Sequence, residues 1–394
     1  MRVLGITAEY NPIHNGHIYH LEQSRAVSKA DFIVAVMSGD FVQRGEPALM
    51  DKWTRSRLAV ESGVDLVLEL PFYFATSSAE DFARGAIGIM HGLGCVSDIS
   101  FGCEYPEIGV LYQLAGFLSG EPESYSEALK EELAAGKSFP AARQAAVSSI
   151  LGERAAGILE GHNNILALEY LKAIKRTGGR ELRPHALRRM KGAGATESRR
   201  RLYEGGYAAA REILSPAARR EIEKSGPGRL VWPEKFWPLI EARILQSGED
   251  ELAAMRGVNE GIENRFKKYI RSCDSLEEFI RKVKTRRFTR TAICRMLISI
   301  LNGVKKDEFS DPYGALYARV LAAGAGGRKL LRLIGDREWA QIPLLTNINR
   351  QGADLSGEAA RMLKMDILAA DLYNLAAGRD LYSCSDYCMR PAML

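Results

Sequence analysis

A chain of 394 residues that is 46% hydrophobic can bury a sizeable core and is long enough for two domains. No stretch approaches the ~20 apolar residues of a bilayer span. The N-terminus opens directly as a strand, without a signal-peptide layout, and six scattered cysteines make no disulfide framework, so a cytoplasmic protein without a membrane anchor is expected.

Met1 to Ala8 reads as a buried strand. Glu9 to Ile13 turns the chain into a helix that includes Gln23 to Lys29, so His14 and His17 fall where that helix begins. Asp31 to Met37 and Asp65 to Leu70 are apolar runs rich in Val, Leu and Ile, suited to buried parallel strands. Asp51 to Ser62 and Ser78 to Leu93 read as the helices between them, and Val96 to Phe101 as a fourth strand. This alternation predicts an α/β fold, a Rossmann-like parallel sheet with helices on both faces. Such sheets bind ligands beyond the carboxyl ends of their strands. The His-Asn-Gly-His turn, the loop from Ser38 to Met50 and Gly102-Cys103-Glu104 all follow strands and should gather at one edge. Beyond residue 105, helices fit Ile108 to Leu118, Tyr125 to Ala135, Pro140 to Ile150 and Asn163 to Lys175, and Leu182 to Leu187 allows one more strand. From about Gly205 onward nearly everything periodic is helical, punctuated by Pro216, Pro227, Pro233, Pro238, Pro312 and Pro343. Two domains are expected, residues 1–205 and a mostly α-helical 206–394.

His14-Asn15-Gly16-His17 carries the chemistry. Backbone N–H groups at a helix start lack partners within the helix, and the dipole there is positive, so phosphate binds readily. His14 and His17 share one helix face and can donate to the same phosphate oxygens as charge builds on them. Gly16 lets a flat ring approach the backbone. Chance surface histidines are the plainer alternative, yet His14, His17 and His20 are half of the six in the chain. Neither a P-loop nor a G-x-G-x-x-G turn is present. Paired histidines offer another way to hold phosphates, suited to attack on an α-phosphate with pyrophosphate leaving.

These residues match the H-x-G-H motif of the nucleotidyltransferase superfamily. Four longer strings sharpen the likeness: Ala8 to His17, Ser38 to Pro47 (SGDFVQRGEP), Asp51 to Arg55 (DKWTR) and Val64 to Pro71 (VDLVLELP). Together with Asn163-Asn164-Ile165-Leu166 and Val283 to Thr291 (VKTRRFTRT), they resemble the bacterial tRNA(Met) cytidine acetate ligase family over most of the chain. The resemblance implies a catalytic nucleotidyltransferase-like domain over 1–205, a helical tRNA-binding domain over 206–394, and an ATP-dependent ligase. Such an enzyme makes acetyl-adenylate from acetate and ATP. It then acetylates the wobble cytidine of elongator tRNA(Met), giving N4-acetylcytidine.

The resemblance also implies an ATP site lined by Thr7, Ala8, Glu9, Tyr10, Asn11, Pro12, Ile13, His14, Asn15, Gly16, His17, Ile18, Tyr19 and His20. Gly102 would lie under the nucleotide, Asn163 would contact it, and Arg188 and Arg189 would reach its phosphates or adenine. The segment Met190 to Arg199 is shorter than the family's usual stretch, with Gly194 where Ser is expected and Arg199 as counterpart of its terminal arginine. Magnesium is expected with ATP. No protein metal site is expected, since no histidine follows His185 to join Cys384 and Cys388.

In the Ser38 to Met50 loop, read as a lid over acetate and adenylate, Arg44 is a candidate partner for carboxylate or phosphate. Amide formation must shed a proton, and Asp40 is the candidate base beside the catalytic His14 and His17. Lys52 and Arg55 oppose the dipole of the helix they open, which points to a ligand or to a solvated face. Seven cations (Arg281, Lys282, Lys284, Arg286, Arg287, Arg290 and Arg295) occur with no acidic residue between Arg281 and Gly303. Phosphate backbone is their expected partner, with Lys284, Arg286, Arg287 and Arg290 as tRNA-binding residues and Phe288 free for stacking. A second basic stretch runs through Arg176, Arg180, Arg183, Arg188, Arg189, Lys191, Arg199, Arg200 and Arg201. Trp53, Trp232, Trp237 and Trp339 read as packing residues. Two other readings stay open: an adenylyltransferase acting on a phosphorylated small molecule, and a tRNA-binding protein without catalysis.

Overall fold

The computed structural model describes residues 1–177, 182–190, 192, 194–309 and 314–394. Arg180, Lys191 and Pro312 lie outside the described residues. In chain order the strands are β1 (Val3–Ala8), β2 (Phe32–Ser38), β3 (Phe41–Val42), β4 (Glu46–Pro47), β5 (Leu66–Leu70) and β6 (Asp98–Cys103). Then come β7 (Arg183–Arg188), β8 (Ala318–Ala323), β9 (Leu344–Leu345) and β10 (Ala392–Met393). β2 and β5 are buried at every residue, which is why they read as unbroken apolar runs rather than as an alternation.

The main sheet runs in the order β10-β8-β5-β2-β1-β6-β7, with β9 also paired to β8. β1 pairs in parallel with β2 and β6, β2 with β5, and β6 with β7. Register places Ala8 beside Met37, and Cys103 beside Arg188, so the carboxyl ends of these strands meet at one edge. Helix α1 (Asn15–Ser28) leaves that edge from β1, and α2 (Lys52–Glu61) precedes β5. Apolar side chains of α1, α2 and the helix Pro216–Ser225 pack on one face of the sheet. The helices Ala79–Gly92 and His162–Arg176 cover the other.

The Rossmann-like parallel sheet and the helical run that follows are both present. Helices carry the chain from Ala195 to Asn302. Both hydrophobic clusters hold residues from either side of residue 205, Val34 with Phe279 in one and Leu4 with Leu214 in the other. β8 joins the sheet antiparallel to β5, and β9 and β10 attach to it in parallel. Phe41 packs edge-on against Phe236 (5.4 Å), tying the helical segment to the sheet. β8 escapes a periodicity reading because its sequence, ARVLAA, is rich in the best helix former. β9 and β10 are two residues each. No helix among the described residues is long and apolar enough to cross a membrane.

Candidate active site

The turn after β1 delivers His14 as the N-cap of α1. Its Nδ1 accepts the Gly16 N–H (3.1 Å), and the His14 N–H is accepted by Nδ1 of His17 (3.2 Å). This is a capping box made of two imidazoles in place of the usual Ser and Glu. Each Nδ1 lone pair is engaged, so a neutral ring carries its proton on Nε2 and presents it as a donor. The two rings stack at 3.7 Å, and Tyr10 meets His17 edge-on at 5.0 Å. His20, one turn further, has Nε2 3.3 Å from the Ser100 hydroxyl, which itself accepts from Ser24 (2.8 Å).

All three imidazoles are held neutral. Burial, then the Arg189 and Arg199 guanidinium groups, lowers His14 to about 4. Burial, with His14, His20 and Arg189 beside it, puts His17 well below the ordinary histidine value. Burial and Arg189 lower His20 to about 4. At neutral pH the histidines are therefore hydrogen-bond donors, and the fixed positive charge comes from arginine. An NMR titration of the nucleotide-free protein should show His14 and His20 protonating near pH 4. Titration close to 6.5 would mean that these rings face open solvent.

The other expected nucleotide contacts divide into two groups. Gly102, Asn163 and Arg189 converge on the histidines. A Cβ on Gly102 would lie 3.2 Å from Arg189 Cγ and 3.9 Å from the His20 ring, so glycine keeps this floor flat. Arg189 donates to Asn163 Oδ1, and Asn163 Nδ2 donates to Glu104 Oε1 (2.6 Å). Glu104 accepts the Asn164 N–H as well (3.0 Å), while Asn164 Oδ1 accepts the N–H groups of Glu104 (2.9 Å) and Tyr105 (3.0 Å). Sequence reasoning missed the clamping roles of Glu104 and Asn164; the adjacent asparagines in the first turn of the helix His162–Arg176 were the available signal. Arg188 is exposed at the end of β7. Thr7 bonds the Tyr170 side chain from β1.

Tyr10, Asn11, Pro12 and Ile13, like His14, are buried in the turn that leads into α1. Asn11 Oδ1 accepts the Leu49 N–H (2.8 Å), Glu9 Oε1 accepts that of Gln43 (2.9 Å), and Asn15 is tied to the Glu212 and Ile213 carbonyls. Ile18 packs against the core beneath α1, and Ala8 closes β1. Arg199 does come to the site: its Nη1 donates to the Asn11 carbonyl (2.9 Å).

Two expectations about the loop are corrected. The Ser38 to Met50 segment is a packed hairpin of β3 and β4, buried over most of its length, not an open lid. Asp40 is not at its surface: its Oδ1 accepts the Lys52 N–H (2.7 Å) at the head of α2. Burial pushes its carboxyl up to about 7, and its charged neighbours are Lys52, Asp51, Arg55 and Asp386, not the histidines. A base for a tRNA amine needs access that this position lacks. Lys52 and Arg55 are neither solvated nor free for a ligand; each is 1% exposed. Lys52 Nζ pairs with Glu69 (2.7 Å) and Asp386 (2.6 Å). Arg55 donates to the carbonyls of Met50 (2.8 Å), Glu9 (2.6 Å), Ser38 (3.2 Å) and Gly39.

The cation cluster also resolves differently. It is not one helix face: a helix ends at Val283 and the next begins at Arg290. Its counter-charges come from elsewhere, with Arg287 on Glu260 (2.8 Å), Arg290 on Glu277 (2.7 Å) and Lys282 on Glu278 (3.1 Å). Arg295 turns inward to the Ser77 carbonyl (3.1 Å), and Phe288 packs against the core. Among the described residues, Lys284 and Arg286 remain exposed with no ion pair. In the second stretch, Arg176 pairs with Glu80, and Arg200 and Arg201 with Glu197.

A nucleotide fold with donor imidazoles at the first helix start and an Arg–Asn–Glu chain facing them defines a nucleotidyltransferase-type site. The family model described as HIGH Nucleotidyl Transferase matches residues 1–383, and the chain belongs to that family. Within it, the chain falls among the tRNA(Met) cytidine acetate ligases. The enzyme of that name from Acetivibrio thermocellus is 37% identical, covering 95% of this chain and 94% of its own. That from Syntrophomonas wolfei is 38% identical, covering 96% and 98%. The crystal structure of Thermotoga maritima TmcAL bound with alpha-thio ATP superposes with a TM-score of 0.93 at 33% identity, over the full length of both chains.

Proposed function

We propose that the protein joins acetate to AMP from ATP, releasing pyrophosphate, and passes the acetyl group to the N4 amine of the wobble cytidine of elongator tRNA(Met), with AMP leaving and the amine losing a proton. The observation that carries this reading is the pair of stacked, neutral imidazoles at the start of α1, with Nε2 protons free to donate. They stand within the field of Arg189, which lowers both of them. Hydrogen-bond donors aimed at a phosphate stabilise the charge that grows as an α-phosphate is attacked. In this reading Arg189, held by Asn163, meets the phosphates or adenine, Arg188 lies at the rim, and Gly102 leaves room for the nucleotide. Magnesium enters on ATP's phosphates, and residues 206–394 supply most of the tRNA contacts. Full-length similarity to tRNA(Met) cytidine acetate ligases supports the assignment of acceptor.

The test is incubation with labelled acetate, ATP and tRNA. Label in cytidine, dependent on ATP, is the expected result. Pyrophosphate release that needs a phosphorylated small molecule instead of acetate would replace this reading with an adenylyltransferase.

For the tRNA face we assign Lys284 and Arg286 the main phosphate contacts, because Arg287 and Arg290 already carry carboxylate partners. Neutralising Lys284 and Arg286 together should weaken tRNA binding roughly tenfold and shallow its log–log salt slope by about 1.5, leaving ATP binding unchanged. Filter binding across a salt series checks this. An unchanged slope would move the tRNA off this segment.

A further inference from the structure

Tyr203 is a large ring that the fold leaves 68% exposed. Single exposed apolar side chains are ordinary on protein surfaces, but this one is held in place. Its ring meets Trp232 at 5.1 Å and 69°, and Trp232 is half-buried against the core. Trp232 follows Val231, whose N–H donates to the Leu49 carbonyl (2.9 Å) at the end of the β3–β4 hairpin segment. The aromatic pair thus lies between that segment and the helix Ala195–Ala210.

Both of those elements touch the turn that carries His14. Arg199 stands four residues before Tyr203 on the same helix face, and its guanidinium donates to the Asn11 carbonyl (2.9 Å). One helical turn is about 5.4 Å, so the exposed ring stands about one turn from the residue that grips the catalytic turn. Arg44, on the hairpin, is close enough for its charge to act on Arg199. Arg199 thus stands among Glu46, Glu9 and Arg44, four residues from the ring. Aromatic rings beside cations are how proteins hold unstacked bases, because every base has a flat face to stack.

We propose that Tyr203, backed by Trp232, is the stacking platform for an unstacked nucleobase of the tRNA anticodon loop next to the adenylate. The inference rests on the acetate–tRNA ligase reading and names the element that receives the acceptor strand. A cytidine amine cannot reach an acyl-adenylate while its base is stacked in the loop. A fixed ring at the mouth of the site lowers the cost of holding the loop open.

The test is Tyr203→Leu alongside Tyr203→Phe, each assayed for two half-reactions. Acetate-dependent exchange of pyrophosphate into ATP should stay within twofold of the unmodified protein in both. Acetyl transfer to tRNA, as kcat/KM, should fall roughly tenfold or more in Tyr203→Leu and be restored in Tyr203→Phe, which keeps the ring. Equal transfer by Tyr203→Leu and the unmodified protein would overturn the platform. So would a raised KM for ATP in the exchange assay, which would assign the ring to adenine instead. An unmodified protein that labels no tRNA would overturn the ligase reading itself, a distinct failure.

Discussion

His14→Asn is expected to slow acetate-dependent pyrophosphate exchange roughly 100- to 1,000-fold while leaving the protein folded. Asparagine is among the best N-cap residues, and its Oδ1 can accept the Gly16 N–H that His14 Nδ1 accepts now. The start of α1 should therefore survive. What disappears is the Nε2 donor and the ring stacked on His17. Loss of one well-placed donor to a developing negative charge typically costs a factor of this size. Paired circular dichroism and exchange assays separate the two effects. A His14→Asn protein that exchanges pyrophosphate within twofold of normal would show that the imidazole does no more than cap the helix.

Lys52→Met is expected to destabilise the protein by about 3–5 kcal/mol, through charges rather than volume. Four ionic side chains of alternating sign meet in one buried cluster, two from strands β5 and β8, one from the start of α2 and one from the C-terminal segment. Lys52 pairs with Glu69 and Asp386, and Arg319 pairs with Asp386 (2.6 Å) and Glu69 (3.2 Å). All four are at most 3% exposed as side chains. The attraction of Asp386 and Glu69 raises the proton affinity of Lys52 despite its burial, so it stays charged. Deleting it leaves two buried carboxylates facing one guanidinium, an imbalance that water cannot relieve. Adding Glu69→Gln to Lys52→Met removes one of those carboxylates and should recover part of the loss. Urea unfolding of the single and double variants measures both. A Lys52→Met protein within 1 kcal/mol of the original would mean that these charges are solvated in solution.

The parallel strands were legible because each is a short, wholly apolar run with a helix between it and the next. The start of α1 was legible because a turn and two histidines coincide after the first of those runs. Gly102 was legible from its place after a strand, whereas Asn163 and Arg189 came only from family resemblance; no spacing rule links residues from three separate strand and helix ends. Partnerships across long separations were not legible at all. Lys52 meets Asp386 334 residues later in the chain, so a helix start carrying two cations suggested a ligand when the answer was an internal carboxylate. The cluster after Arg281 failed for the same reason. Local counting found no acid within it, yet Glu260, Glu277 and Glu278 lie just upstream and fold back onto it.

The place of Asp386 also bears on how the protein is made. Strands from the first hundred residues leave the ribosome long before the carboxylate that balances Lys52 and Arg319 has been translated. Before β8 is made, the nascent fold holds Lys52 against Glu69; once β8 brings Arg319, two cations face Glu69 alone until Asp386 arrives, and β10 joins last. Nascent chains stalled short of residue 386 should consequently remain open to protease across β5 and α2, and gain resistance only when the final segment emerges.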